Sequence, residues 1–250
     1  MNKINLEKYL YQLLSLSTFY RYSKTAFKHS ELRYEIKKNE ADSIKKTVTS
    51  IEKIGVNNKL FEDIYRSKIE KNIDIQINNG LKVLRQQILV SSHTIFENYL
   101  CNVLSVYLTV FPNILKDRDK NISFRDVVDL KDNDSILKHI IEKEVADFSW
   151  LSVEKKKNYL IKRLKIFNPK DLWEVDGEYL LKEIDDKRHS IIHDENPVEI
   201  SEEGLFKYIY YFERIIFSLS IYAKVYQGVD FIWQNVSEKI LGKDTPSLSI

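Results

Sequence analysis

An all-α fold is what this sequence predicts, and three observations carry it. Glycine and proline, the residues that most often interrupt regular structure, number only 6 and 4 in 250 residues, which favours a few long helices over many short strands. Apolar residues recur at spacings of three and four through most of the chain, the period of an amphipathic helix. Hydrophobic residues make up 43% and charged residues 30%, the balance of a domain that buries a core, so neither a disordered nor a membrane class is needed.

Taken in order, residues 3–38 read as helix on Leu6, Leu10, Leu13, Leu14, Ser17, Phe19 and Tyr20, turning polar through Glu31–Lys38. A second helix, about Ala41–Ile54, is closed by Gly55 and the Asn57-Asn58 pair. A third begins near Lys59. Ile73-Asp74-Ile75-Gln76-Ile77 alternates like a strand ahead of Asn79-Gly80, but a lone strand would have nothing to pair with, and the expectation is helix. These first residues, 1–79, carry no chemical motif and are read as an N-terminal helical extension.

From Leu81 to Val110 the period is strong: Leu84, Ile88, Ile95, Tyr99, Val103 and Val106 form one stripe, widened by Leu89, Phe96, Leu100 and Leu104. A helix apolar over so broad an arc belongs at the centre of a bundle. Ser91, Ser92 and His93 interrupt it, and Glu97 stands one turn after His93. Pro112 ends it. Residues 113–150 are irregular, with one short helix expected after Ser123 and another from about Ser135 to Phe148. Ser152 is placed to cap a helix running to Phe167, with Val153, Leu160, Leu164 and Phe167 inward and Lys155, Lys156, Lys157, Lys162, Arg163 and Lys165 on its outer face. Asn168-Pro169 opens a short turn through Trp173, and Asp176 is expected to cap the next helix. Ser201 starts the last long helix, on Leu205, Tyr208, Ile209, Phe212, Ile215, Ile216, Leu219, Tyr222 and Tyr226. The expected architecture is a bundle of four core helices, 81–110, 153–167, 177–194 and 201–227, within a domain at 80–228, followed by a polar tail at 229–250 in which Trp233 could dock back.

Composition bounds the function as well. A formal net charge of +2 does not announce a nucleic-acid binder, so any basic surface must be local. Cys101 is the only cysteine, which excludes an intrachain disulfide, makes a reducing compartment the simplest home, and reads as an inert core residue. Charges stand in Met1–Lys8 where a signal peptide needs an apolar run. The most apolar window, Ile215 to Ala223, contains Ser218 and Ser220 and is too short to span a bilayer. The expectation is a cytoplasmic protein with no membrane partner.

One helix carries chemistry. Leu181, Ile184, Arg188 and Ile191 share a stripe at helical period, and three of the four are aliphatic, so Arg188 takes a core-facing slot. A guanidinium there needs a buried carboxylate or an anionic ligand. His193 follows five residues later, near where Pro197 disfavours continuing the helix. An arginine and a histidine so placed can hold one phosphate between them, the first with fixed charge and a fork of donors, the second with a proton it can give or take near neutral pH.

Arg188, four intervening residues and His193 resemble the Rx4–6H motif of HEPN domains, a family of helical nucleotide-binding modules. His189 matches the Asn, Asp or His that commonly follows the arginine there. The setting is similar too, with an apolar helix leading in, a long amphipathic helix following, and the helix bearing Phe96-Glu97-Asn98-Tyr99-Leu100 upstream. Over roughly residues 80–228 the resemblance implies a HEPN-like four-helix bundle and a metal-independent endoribonuclease of the prokaryotic toxin or anti-phage group. It implies an RNA substrate, a homodimer that brings two motifs to one cleft, an antitoxin or defence partner, and no cofactor. Arg188 would clamp the scissile phosphate, His193 would do acid–base work, and His189 would orient or assist. Glu97, with Asp185 as the other choice, would orient the arginine. In HEPN toxins silenced by modification of a tyrosine, that tyrosine lies two residues after the histidine; here the position holds Glu195.

Blander readings stand beside these. Arg188 also fits a structural arginine paired with Glu97 or Asp185. A histidine at a helix end is commonly a dipole partner. His189 and His193 are four apart, which is also metal-ligand spacing, but no third ligand has convincing spacing, and the expectation is no metal. Lys155, Lys156, Lys162 and Arg163 read either as a solvated face or as an RNA-tracking stripe. No Gly-rich phosphate loop, nucleophile elbow or zincin motif occurs. The rival to the nuclease is a catalytically silent HEPN-like module that binds a protein, nucleotide or RNA partner; the third reading is a purely structural helical protein.

Overall fold

The computed structural model describes residues 3–52, 58–117, 132–164, 170–176, 178–193 and 198–233. These form α1 (Leu6–Lys28), α2 (Ser30–Glu52), α3 (Asn58–Val110), a 3-10 segment (Pro112–Asp117), α4 (Asn133–Ser149), α5 (Val153–Leu164), the short α6 (Lys170–Trp173), α7 (Leu181–His193) and α8 (Glu202–Gln227). The fold is all-α. Among the described residues, β-structure is limited to two isolated bridges, Ile4 with Phe231 and Val175 with Glu178.

The bundle is organised around α3. Helices α1, α2, α4, α5, α7 and α8 all pack against it, and α1 also packs against α8. The sequence explains this centrality. From Ile88 to Leu108 buried side chains cover far more than one stripe, with Leu89, Phe96, Tyr99, Leu100, Val103, Leu104, Tyr107 and Leu108 all inside. Helix α8 lies opposite with Leu205, Ile209, Phe212, Ile215, Ile216 and Leu219 buried, and Phe96 stacks on Phe212 at 4.6 Å between ring centroids. Tyr99 crosses the same interface and donates to the carbonyl of Ile216, 2.9 Å away. Ser201 caps α8 as expected, accepting from the Gly204 amide, and Gly228 closes it in the left-handed conformation.

The N-terminal segment shares this core. Ile4, Leu6, Leu13 and Tyr20 of the first stretch are buried in the same cluster as α3 and α8. Asn5 caps α1 while its own amide donates to Asn102 on α3. Residues just after α8 dock back: Val229 is buried, and Ile4 exchanges backbone hydrogen bonds with Asp230 and Ile232.

Several expected boundaries move. The break in the first helical region falls at His29, whose backbone is extended, and α2 runs unbroken from the polar stretch through Asn39 and Glu40, where the gap between the two expected helices fell. Glu, Leu, Arg and Lys are all good helix formers, so polarity there does not interrupt the backbone. Ile73–Ile77 is helical, and α3 continues through Asn79-Gly80 without a turn. The helix expected from about Ser135 starts at Asn133, capped by Asp132. The expected cap at Asp176 is incorrect: that residue sits at φ 53° in a tight turn closed between Val175 and Glu178, and α7 begins five residues later at Leu181. Aspartate tolerates the left-handed region better than most residues, which suits it to a turn. Tyr226, expected inward, is 73% exposed. The expected helix after Ser123, the closing Gly55, Phe167 and Asn168-Pro169 lie outside the described residues. Among the described residues no helix is long and apolar enough to cross a membrane.

Candidate functional site

Helix α7 is held by its apolar stripe. Leu181 and Ile184 are buried against the core, and Ile191 is half-buried. Its first turn is tied to α8 by the Tyr208 hydroxyl, which donates to Glu183 at 2.5 Å. This fixes the face on which the motif stands. His189 and His193 are both exposed, with ring centroids 4.6 Å apart, and His193 stands in the last described turn of the helix.

Arg188 is half-buried, and its Nε has no hydrogen-bond partner although it is shut off from solvent. Among the described residues no carboxylate lies within ion-pairing distance of its guanidinium. Asp185, one turn back, senses the arginine's charge without closing a bond to it. The expected pairing of Arg188 with Glu97 does not form, because both Glu97 oxygens are engaged elsewhere. One takes the Lys156 ammonium, and the other lies 3.3 Å from Nδ1 of His93.

His93 and Lys156 are what the sequence reading missed. His93 is 2% exposed, and its Nε2 lies 3.2 Å from Asp185, so the imidazole stands between carboxylates of α3 and α7. Neither contact has good hydrogen-bond alignment, so the attraction is chiefly one of charge. Burial opposes protonation of His93, but Asp185 and Glu97 outweigh it and hold the imidazole's pKa above its ordinary value. Burial likewise pushes Glu97 up, and the His93 and Lys156 contacts overcome it, leaving the carboxyl lowered to about 2. The contact with His93 also lowers Asp185, against a smaller opposing effect of burial.

Lys156 therefore does not belong to the outer basic face. It is 1% exposed and points at Glu97. The signal was present in the spacing: Val153, Lys156, Leu160 and Leu164 recur at three and four, so Lys156 stands on the apolar stripe itself. Lys155 and Lys162 remain exposed, and with Arg163, Asn158, Tyr159 and Leu151 they line an open groove of about 410 Å³. Lys157 lies over the Tyr179 ring, 4.1 Å from its centroid. Lys165, Asp194, Glu195 and Pro197 lie outside the described residues.

Cys101 is half-buried and its thiol pKa is raised chiefly by burial, which makes it a poor nucleophile. Among the described residues no group of three or more His, Cys, Asp or Glu side chains is arranged to hold a metal ion. A separate apolar groove of about 360 Å³, lined by Leu10, Tyr11, Leu14, Glu213, Arg214, Phe217 and Trp233, shares no residue with the motif. Chemically, the motif helix offers a half-buried guanidinium with an unsatisfied donor and, on the same helix, two exposed imidazoles. Comparison of the chain with family models, with curated proteins and with solved structures finds no match.

Proposed function

We propose that the chain is a HEPN-type, metal-independent endoribonuclease that works as a homodimer in the cytoplasm, in a toxin or anti-phage role. The observation that carries the reading is Arg188. A guanidinium with a buried, unpartnered Nε and no carboxylate in ion-pairing range among the described residues is suited to an external anion, and two exposed imidazoles stand on the same helix with ring centroids 4.6 Å apart. A structural arginine would be expected to have its donors taken.

In this reading Arg188 holds the scissile phosphate. His193 of one copy withdraws the proton of the 2′-hydroxyl, whose oxygen attacks the adjacent phosphorus. The P–O2′ bond forms as the P–O5′ bond breaks, and Arg188 stabilises the charge that builds on the non-bridging oxygens. The leaving 5′-oxygen takes a proton from the motif of the second copy, since one histidine cannot readily serve as base and acid in a single step. His189 orients its neighbour through ring contact. Lys155 and Lys162, exposed on α5, would track the RNA backbone.

The products test this. Incubated with a ribo-oligonucleotide in EDTA, the full-length chain should yield 2′,3′-cyclic phosphate and 5′-hydroxyl ends, and a 2′-deoxy substitution at the cleaved position should block the reaction. Activity that disappears on chelation and returns with Zn²⁺ or Mn²⁺ would instead assign His189 and His193 to a metal. One observation favours the silent binding module: Tyr11 and Trp233 are each half exposed along the apolar groove, as on a docking surface. A chain that cleaves no RNA would favour that reading.

A further inference from the structure

The mechanism above leaves four ionisable side chains unused, and they form a line beneath the motif. Lys156 of α5 meets Glu97 of α3, Glu97 meets His93 of the same helix, and His93 meets Asp185 of α7. The line begins in the core and ends at Asp185, whose side chain is 35% exposed. From α8 the Phe212 ring meets the imidazole edge-on, with centroids 6.2 Å apart.

The geometry restricts the state of His93. A neutral imidazole has one N–H and one lone pair. With a carboxylate at each ring nitrogen, one carboxylate would face a lone pair inside the core. Only the imidazolium offers a positive charge to both. With it, the line carries two positive and two negative charges and is neutral. Without it, a net negative charge is left beneath α7, at a site where burial makes an uncompensated ion costly.

Asp185 and Arg188 are three residues apart on α7, a spacing at which a carboxylate and a guanidinium commonly pair. Here they do not, and Asp185 is turned to His93 instead. We infer that His93 is a positioning residue: held as an imidazolium between Glu97 and Asp185, it keeps the Asp185 carboxylate away from Arg188 and so leaves the guanidinium free for a phosphate. Lys156 supports this at one remove, since it satisfies Glu97 and thereby lets Glu97 hold the far side of the ring. When His93 loses its proton, Asp185 is released and can close on Arg188. Burial opposes the protonated ring, but Asp185 and Glu97 together outweigh it, so release comes at a higher pH than a free imidazole would give.

The consequence for RNA rests on the proposed reading of Arg188 as the phosphate clamp; the pinning of Asp185 does not. The test therefore has two arms on the full-length chain. In the first, ¹⁵N NMR should find both His93 ring nitrogens protonated at pH 7, and His93→Gln should shift the Arg188 Nε–H signal toward that of a carboxylate-paired arginine. In the second, if Asp185 occupies Arg188 in all but about 1–10% of His93→Gln molecules, KM for RNA should rise about 10- to 100-fold with kcat nearly kept. A merely structural role would lower the active fraction, and hence kcat. Adding Asp185→Asn to His93→Gln should bring KM back down, because the competing carboxylate is gone. A neutral His93 at pH 7, an unshifted Arg188 signal, or no rescue by Asp185→Asn overturns the inference. If the wild type cleaves no RNA, the nuclease reading falls and the NMR arm alone decides the pinning. If His93→Gln does not fold, the wild-type titration decides. The Arg188 Nε–H signal should then move with the same midpoint as the His93 ring, and independent movement overturns the inference.

Discussion

Replacing Lys156 with methionine isolates the buried charge line, because methionine keeps most of the side-chain volume and removes only the ammonium. Lys156 is 1% exposed, and its partner Glu97 is 23% exposed. Removing one member of a sealed ion pair costs about 3–5 kcal/mol, because the other is left uncompensated. Glu97 is not sealed and retains His93, so the expected loss is about 2–3 kcal/mol, with most of the penalty still incurred. For a chain of this length that corresponds to roughly 4–12 °C in Tm. Lys155→Met, one position away on the exposed face, should change stability by no more than about 0.5 kcal/mol. Urea unfolding followed by circular dichroism, with m unchanged between variants, provides the comparison.

The pH dependence adds a check of sign. Glu97 has its carboxyl lowered to about 2 from an ordinary value of 4.5 in the folded chain. Its contribution is therefore fully present above the unfolded value and is lost as pH falls toward the folded one. Below pH 4.5 the gap between wild type and Lys156→Met should close steadily, since a protonated Glu97 no longer needs the cation. The reasoning is refuted if Lys156→Met is as harmless as Lys155→Met, or if the gap between wild type and variant widens in acid.

Two further changes test the frame that carries the site. Tyr99→Phe removes the hydroxyl that bonds the Ile216 carbonyl and the Ser220 hydroxyl in a fully buried position; thermal unfolding should report a loss of about 1–2 kcal/mol, and a neutral result would mean the α3–α8 contact depends on packing alone. Gly228→Ala places a Cβ where nothing lies within 4 Å but where φ is +66°; the expected cost, read by the same method, is about 1 kcal/mol of backbone strain with no steric component.

Much of the frame could be read from local pattern. The broad apolar arc between Leu81 and Val110 identified the central helix, and it is central for the reason given: more than one neighbour needs its surface. Ser201 was legible because an N-cap is a short-range device, one side chain reaching the amide three residues on. The break at His29 was not legible, since no proline or glycine marks it, and the polar stretch after it is made largely of helix formers. The turn at Asp176 was misread because the same residue type serves as a cap and as a left-handed turn residue, and only the chain on either side decides between them.

The candidate site divides in the same way. Arg188 and His193 are separated by a fixed helical offset, so their shared helix followed from the sequence. That Glu97 would be taken by Lys156 and not by Arg188 did not follow, because Glu97 and Lys156 meet through the packing of α5 on α3, and a helical period says which face is buried but not which charge it meets. The period did place Lys156 among Val153, Leu160 and Leu164. The surrounding lysines made it look like part of a solvated surface. A charged residue on an apolar stripe is better taken as a sign of a buried partner elsewhere in the chain.

The most direct test of the central claim is RNA cleavage by purified wild type, His193→Ala and Arg188→Lys, with unfolding measured on the same samples. His193 is exposed at a helix end, so His193→Ala should melt within about 0.5 kcal/mol of wild type and cleave nothing. Arg188→Lys keeps the charge but loses the planar fork that a phosphate engages, so it should fold and be nearly inactive. Wild-type protein that leaves RNA intact, or a His193→Ala chain that cleaves at the wild-type rate, would contradict the account.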